Sequence, residues 1–462
     1  MFAGCDAFFH RPLPFPTPAQ QNLVVLTTEN PLTFSADDTV SANGLERDLV
    51  EAFAKSLGVG VDYKIIPADE IADRIASGEG HLAMNWLPQS TDSALQSSPP
   101  IMYSHDLLVQ HEASLPIQNA SELSGKTIFA LRGSRQHKNL RKLQETIPKL
   151  MVLEVGEGDI FDLLEAVENH KYEYVAIDST LADIANRLNP SLQTSLKLSD
   201  DSPIVWWLSE KPNVELLARL KAFVANAKED GTMARIQDRY FGHTHRLTQT
   251  DIVKFLANTE TLLPKLRKDF VAAQQITGID WRLIAALAYQ ESKWDPEATS
   301  PTGVRGIMML TEETADRLKV SNRLDPHESI LAGARYVNLL KDMQAEEVKE
   351  PDRTWLALAS YNIGPGHFNA ARSIAKQVGA DPSTWYDMKR VLPLLAKPKY
   401  YEHLKSGRAR GGEAVILVEN VRNYYDILAY HEANDQPSSK QLPGFEPYKS
   451  KPGAMPGLLV KR

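Results

Sequence analysis

The sequence is short of the residues on which several large protein classes depend. Cys5 is the one cysteine in 462 residues, which excludes an intrachain disulfide and a cysteine-built metal cluster. No apolar run approaches the roughly 18 residues that a membrane-spanning helix requires. Lys and Arg, 51 in all, are outnumbered by 59 Asp and Glu; the net charge of -8 lacks the basic footprint of a nucleic-acid binder. There is no HExxH pair, no P-loop, no dinucleotide-binding glycine fingerprint and no internal repeat. What remains, 43% hydrophobic and 24% charged, is ordinary for globular protein. The length exceeds what one core organises, so at least two domains are expected.

From Asn22 the chain alternates strand and helix patterns. Leu23 to Leu26 reads as a short buried strand. Gly44 to Leu57 follows with apolar residues at helical spacing (Leu45, Leu49, Val50, Phe53, Leu57), and Gly58 is placed to end that helix. Strands are expected over Val59–Ile66, His81–Trp86, Ile101–Tyr103 and Leu107–Val109, with a helix over Ala68–Ala76. A second block runs from Gly125 through Tyr174-Val175-Ala176-Ile177-Asp178, and Pro203–Leu208 reads as a strand returning to the first lobe. Repeated βα units of this length imply an α/β fold with a mostly parallel sheet.

The order of these segments resembles a family-3-type periplasmic solute-binding domain, the two-lobed amino-acid-binding kind. The resemblance is carried by GLERDLVEAFA (residues 44–54), the GKT-strand-RGS segment from Gly125, the Val175-Ala176-Ile177-Asp178 strand end and the closing Arg239-Tyr240-Phe241-Gly242. Arg132-Gly133-Ser134 follows a strand and opens a helix, so backbone amides and the Arg132 side chain could hold a ligand carboxylate. Asp178 could take an amino group, and in amino-acid-binding relatives these two positions clamp the zwitterion. A free amino acid or a muropeptide stem is the ligand this implies, with lobe closure changing access to the catalytic cleft. The alternative is that Arg132 and Asp178 simply pair with each other across the lobes.

After Gly242 the strands disappear. His243 to Gln249 is a polar junction, and helical patterns dominate from Asp251 to about Tyr430. His243 and His245 form the one candidate metal pair; an exposed pair in a linker is expected to be inert. The division expected is a tail or tether over 1–20, a solute-binding-like domain over 21–242, a linker over 243–262, a catalytic domain over 263–433 and a disordered tail over 434–462, rich in Pro, Gly, Ser and Lys. Arg11 to Gln20 is proline-rich and should be extended rather than packed. The opening Met1-Phe2-Ala3-Gly4-Cys5-Asp6 resembles the end of a bacterial lipoprotein signal, although the charged and apolar regions that should precede it are absent. Cys5 is therefore a lipidation candidate, with a free thiol as the alternative.

The chemistry concentrates in Asp280 to Leu310. Asp280 is a good N-cap, and Trp281 to Gln290 holds strong helix formers. Ile284, Leu287 and Ala288 stand seven, four and three residues before Glu291, so Glu291 continues the apolar stripe near the helix end. Low-dielectric surroundings and the negative end of the helix dipole both disfavour its ionisation and should raise its pKa. A glycosidic oxygen needs such a protonated carboxyl as its general acid. A lone Glu at a helix end is ordinarily a solvated surface residue; its company overturns that reading here.

Glu291-Ser292 is followed by Trp294-Asp295-Pro296, by Gly303-Val304-Arg305-Gly306-Ile307-Met308-Met309-Leu310, by Ser360-Tyr361-Asn362-Ile363-Gly364, and by Val418-Glu419-Asn420-Val421-Arg422-Asn423-Tyr424-Tyr425. In this order and spacing they resemble the goose-lysozyme-like catalytic domain of the soluble-lytic-transglycosylase family, over roughly residues 265 to 430. The fold class implied is a two-lobed, periplasmic-binding-protein-like α/β domain followed by a mainly α, goose-lysozyme-like one.

Gly303 and Gly306 allow tight turns. Met308 and Met309 offer adaptable apolar contact beside the cleft, or fill core. Many relatives carry Gln where this chain has Met309, so a hydrogen bond there is missing. Tyr361 offers a hydroxyl and a stacking face, and Asn362 either holds sugar amides or fixes the following loop. Ser292 orients Glu291 or caps the helix end; the resemblance implies the first. Tyr424 is counted with the substrate-binding residues. Glu419 matches a family glutamate lining the cleft and is given an ordering role through hydrogen bonds. Asp295, Glu297, Glu312 and Glu313 lie in a polar loop and a helix start, where surface or capping roles are the default.

A single acid/base, Glu291, fits the mechanism the resemblance implies: non-hydrolytic cleavage of the bond between N-acetylmuramic acid and N-acetylglucosamine to give 1,6-anhydromuramyl ends, without cofactor or metal. It also implies peptidoglycan strands as partner and a periplasmic location at the outer membrane. Two alternatives stand beside this: a hydrolytic muramidase, and a non-catalytic lipoprotein that binds amino acid or muropeptide.

Overall fold

A computed structural model describes residues 13–30, 33–35, 44–156, 158–244 and 246–432. Cys5, His245 and the tail from residue 434 lie outside the described residues. The chain divides into two units, the first running to Gln237 and the second beginning at Asp238.

The strands of the first unit are β1 (Leu23–Thr27), β2 (Val61–Ile65), β3 (Leu82–Pro88), β4 (Leu95–Ser97), β5 (Met102–Ser104), β6 (Asp106–His111), β7 (Thr127–Leu131), β8 (Met151–Val155), β9 (Tyr174–Asp178), β10 (Leu192–Lys197) and β11 (Ser202–Ser209). They form two sheets. One has the order β2-β1-β3-β11-β4, with β5 also on β11; the other has the order β10-β6-β9-β7-β8. As expected, the Pro203–Leu208 segment returns to the first sheet, where β11 pairs with β3, β4 and β5.

The sheets are not mostly parallel. Parallel pairing is confined to β1 with β2 and β3, and to β7 with β8 and β9. Strands β6 and β11 pair antiparallel throughout. Both strands border the places where the chain passes between the sheets: residue 105 carries it from β5 to β6, and residues 198–201 return it from β10 to β11, so neither β6 nor β11 is entered from its own sheet through a helix. A parallel entry needs a crossover of a dozen or more residues, usually a helix.

Helices α1 (Leu45–Leu57), α2 (Ile71–Ala76), α3 (Arg135–Thr146), α4 (Ile160–Glu168) and α5 (Ser179–Leu188) pack on the sheets, α6 (Val214–Glu229) touches α1, and α7 (Thr232–Phe241) follows. Gly58 ends α1 in the left-handed conformation, with its N–H on the last carbonyls. One core packs Leu26, Ile71, Ile75, Ala83, Val205 and Trp207; the other packs Leu108, Leu140, Ile128, Val152 and Ala176. Part of the proline-rich segment is packed rather than extended: Pro16 is buried, and the Pro14 carbonyl lies 2.9 Å from Nε2 of His81.

The second unit is helical: α8 (Gln249–Thr261), α9 (Leu263–Thr277), α10 (Trp281–Ser292), α11 (Glu312–Arg317), α12 (Pro326–Asp342), α13 (Asp352–Ile363), α14 (Pro365–Gln377), α15 (Trp385–Val391), α16 (Pro398–Tyr401) and α17 (Gly411–His431). Asp280 caps α10 by accepting from the Arg282 N–H at 2.8 Å. Every residue from Trp281 to Tyr289 is buried, so α10 is a central helix, packed on α9, α12 and α17.

The segment 243–262, polar enough to read as a linker, carries structure of its own. His243 is buried with Nε2 2.6 Å from Asp426 Oδ2, and Thr248 and Asp251 form a capping box that starts α8. Phe255 of α8 is fully buried against Tyr289, Trp294 and Tyr424, at centroid distances of 4.5, 5.5 and 4.5 Å. A buried phenylalanine of this kind holds a helix in place by about 3–5 kcal/mol relative to alanine.

Candidate active site

Glu291 stands one residue before the end of α10, and the chain turns sharply after it. Lys293 and Trp294 are both left-handed, with φ of 58° and 65°. Side chains seldom adopt that region, and it persists where surrounding contacts impose it. Here the Trp294 indole donates to the Ala285 carbonyl at 2.8 Å, folding the turn back onto α10, while the Lys293 ammonium sits 4.6 and 5.1 Å from the rings of Tyr289 and Tyr424. The turn fixes the helix end and with it the Glu291 carboxyl.

Burial raises Glu291 from its ordinary 4.5 to about 8, and burial is the sole cause. No other charged group among the described residues shifts it, and none donates a hydrogen bond to it. Burial thus favours the protonated carboxyl, the form that a general acid needs.

Two hydrogen bonds bring the distant segments of the sequence together around it. Ser292 Oγ donates to the Ile307 carbonyl at 2.8 Å, tying α10 to the loop over residues 303–310. Tyr361, near the end of α13, donates through its hydroxyl to the Met308 carbonyl at 2.6 Å. Burial and then the Glu291 charge hold the Tyr361 phenol well above its ordinary value, which places it beside the acid and keeps it protonated as a donor. Tyr336 of α12 lies 5.5 Å from the Tyr361 ring.

The glycines of the loop are used by the protein's own backbone. Gly306 has φ of 81°, and a Cβ there would come within 1.8 Å of the Arg323 carbonyl oxygen. Met308 is fully buried against Gly333, whereas Met309 is half-buried with a left-handed φ of 48°. Asn362 is exposed at the end of α13.

Glu419 and Tyr424 lie inside the helical packing. Glu419 accepts from Trp385 Nε1 at 2.6 Å and Arg422 at 2.9 Å, with Lys389 at 3.7 Å. Burial pushes its carboxyl up, but Arg422, Lys389 and His243 outweigh that and hold it below its ordinary value. Tyr424 packs on Phe255, Tyr289 and Lys293. The neighbouring Asn420 reaches α10, donating to Gln290 at 3.2 Å. Of the nearby acids, Asp295 caps a turn by accepting from the Glu297 N–H at 2.9 Å, and Glu312 and Glu313 open α11 behind the N-cap Thr311.

In the first unit, Ser134 caps α3 by accepting from the His137 N–H, and Arg132 precedes it with its side chain half-exposed. Arg132 and Asp178 do not pair with each other. Arg132 pairs with Glu154 at 3.3 Å, and Asp178 is engaged by Arg135 at 2.6 Å, by Trp86 Nε1 at 2.9 Å, by Ser104 Oγ at 2.5 Å and, through its other oxygen, by the Thr180 N–H at 2.8 Å. Arg135 also holds Asp106 at 2.7 Å, so a buried Asp–Arg–Asp cluster sits where the chain crosses between the sheets. The sequence reading singled out Arg132 and missed Arg135 and Trp86. Arg135 follows the N-cap directly and so turns back toward the sheet, and Trp86 depends on a left-handed backbone (φ of 54°) that no local pattern announces.

The fold defines a class: a two-sheet, solute-binding-protein-like unit followed by a helical unit in which Glu291 is the candidate acid. Residues 22–243 match the family described as bacterial extracellular solute-binding proteins, family 3, and residues 269–383 match the transglycosylase SLT domain. Over 94% of its length the chain is 42% identical to the membrane-bound lytic murein transglycosylase F of Nitrosospira multiformis, covering 90% of that protein. It is 37% identical to that of Methylobacillus flagellatus (94% of this chain, 93% of the relative) and 41% identical to that of Thiobacillus denitrificans (92% and 91%). The chain belongs to the membrane-bound lytic murein transglycosylase F family.

Proposed function

We propose that this chain is a peptidoglycan lytic transglycosylase in which Glu291 is the one acid/base. The observation that carries the proposal is Glu291 near the end of α10 with the Ser292–Ile307 and Tyr361–Met308 hydrogen bonds gathered about it, in a chain 42% identical to a lytic murein transglycosylase F; burial raises the Glu291 carboxyl to about 8. A retaining or inverting hydrolase ordinarily uses a second carboxylate beside the acid. Glu419 is taken up by Arg422 and Trp385, so it serves to hold α17 in place.

Glu291 protonates the glycosidic oxygen between N-acetylmuramic acid and N-acetylglucosamine. The muramyl 2-acetamido group helps carry the oxocarbenium-like charge at C1. The ionised Glu291 then takes the proton of the sugar's own C6 hydroxyl as that oxygen attacks C1, closing the 1,6-anhydro ring. Ser292 and Tyr361 hold the loop carrying Met308 and Met309 against this acid; Met309 and Asn362 are the substrate-facing candidates on the half-buried and exposed side.

The test is digestion of purified sacculi with wild type and Glu291→Gln, read by mass spectrometry. Anhydromuramyl products, one water lighter than hydrolysed ones and absent with the variant, support the proposal; reducing-end products would make the enzyme a muramidase.

The family further supports a small ligand in the first unit, an amino acid or a muropeptide stem, and a place in the periplasm against the outer membrane. The open part of that ligand site is Arg132 with the amides behind Ser134, because Asp178 already accepts from four donors. Turnover that stays constant through a titration with free amino acids and with purified stem peptides would remove the regulatory role.

A further inference from the structure

The loop over residues 303–310 is pinned at every level. Arg305 and Leu310 pair across its neck, Arg305 N–H to Leu310 O at 3.1 Å and Leu310 N–H to Arg305 O at 3.0 Å. Inside it, the Met309 N–H closes on the Gly306 carbonyl at 2.9 Å and the Met308 N–H donates to the buried Ser329 hydroxyl at 3.3 Å. The carbonyls of Ile307 and Met308 face Ser292 and Tyr361, the two residues that flank the acid. Arg323 completes the enclosure from outside. Its NH1 donates to the Gly303 and Leu310 carbonyls, both at 3.1 Å, while its own carbonyl seats Gly306 so tightly that a Cβ could not fit.

Within this enclosure Met309 is held at a φ of 48°, a conformation that costs a methionine free energy and persists only where its surroundings over-determine it. An arginine spanning both ends of an eight-residue loop supplies that determination, and it does so from outside the buried core.

We propose that Arg323 is a positioning residue: by clasping the Gly303 and Leu310 carbonyls it keeps the loop closed and Met309 in its left-handed conformation, and so sets the glycan subsite beside Glu291. Arg323 does not touch the reacting atoms. Its effect falls mainly on the binding of N-acetylated glycan: the loop touches the acid's helix through Ser292, but the end of α10 is also held by the Trp294 indole on the Ala285 carbonyl and by the buried α10 core, neither of which Arg323 reaches. The proposal rests on Glu291 being the acid/base.

The experiment uses the full chain and soluble, uncrosslinked glycan strands. Arg323→Gln is expected to raise KM about tenfold, the scale of one to two net hydrogen bonds, while kcat changes little and the alkaline limb of the pH profile stays where wild type has it. Arg323→Lys, whose ammonium can still reach the carbonyls with one bond less of length, recovers part of the loss. Met309→Gly removes the strain that the clasp restrains, so adding Arg323→Gln to it should cost much less than in wild type, a non-additivity that a purely structural role would not give. An unchanged KM in Arg323→Gln, or a fall in kcat that merely follows a lower melting temperature, overturns the proposal. Glycan affinity in the Glu291→Gln background separates the two readings. If Glu291→Gln still cuts, the acid assignment falls; if adding Arg323→Gln there leaves glycan affinity unchanged, the clasp falls.

Discussion

Asp178 and Glu291 each close a regular element, the first at the end of β9 and the second one residue from the end of α10. Asp178 is buried among donors: a guanidinium, an indole, a hydroxyl and a backbone N–H. Glu291 is half-buried near the end of α10, and no hydrogen-bond donor reaches it among the described residues. One carboxylate is consumed in holding two sheets together, and the other is left with a proton to spend. What separates Asp178 from Glu291, the proposed acid/base, is therefore both exposure and what the neighbours offer: Asp178 is buried and fully engaged, whereas Glu291 is half-buried and without a donor among the described residues. Glu46 lies between them: it is fully buried, accepts from the Trp86 N–H and the Trp206 indole, and burial outweighs both donors to raise it to about 7.

The comparison breaks if the two acids respond alike to removal of their charge. Glu291→Gln should lower turnover by about 10²–10⁴-fold, the usual contribution of a general acid, with a melting temperature at or above wild type. Chromatographic quantification of anhydromuropeptides together with calorimetry reads both halves. Asp178→Asn should do the reverse. It leaves Arg135 with one buried partner of two, at a cost of about 3–5 kcal/mol in the first unit, and leaves the chemistry of α10 alone. Hydrogen exchange over β6, β9 and α3 locates that loss, and protection unchanged there would sink the structural reading of Asp178.

A pH series sharpens the contrast. As the proposed general acid Glu291 must be protonated to act, so kcat/KM should fall as pH rises through about 8. The same shift has a stability sign. Between its ordinary 4.5 and about 8 the folded chain holds a proton that the unfolded chain has released, so this group's contribution to stability declines as pH rises across that window. Glu291→Gln should flatten that slope, as denaturant melts at several pH values would show. The smallest effect concerns α8: Thr248→Ala removes its N-cap and should cost about 1 kcal/mol, detectable as a small drop in melting temperature. A much larger drop would mean that Thr248 does more than cap.

The helix over Trp281–Ser292, its Asp280 cap and the place of Glu291 near its end were legible in the sequence, because helical periodicity and capping are local. The left-handed cap at Gly58 and the return of β11 to the first sheet were legible for similar reasons, a glycine after a periodic run and an apolar segment too short for a helix. The antiparallel share of the two sheets was not, since it depends on crossings whose direction a strand pattern does not encode. Nor were the partners of Asp178. Arg132 and Arg135 are equally good candidates by sequence, and only the start of α3 decides that Arg135 turns inward. By itself, then, the sequence determined which residues can carry a proton and which local element presents them. The tertiary structure alone decided which of the buried acids is left without a donor, because that depends on side chains such as Trp86, Ser104 and Arg422, which reach their partners from other elements of the fold.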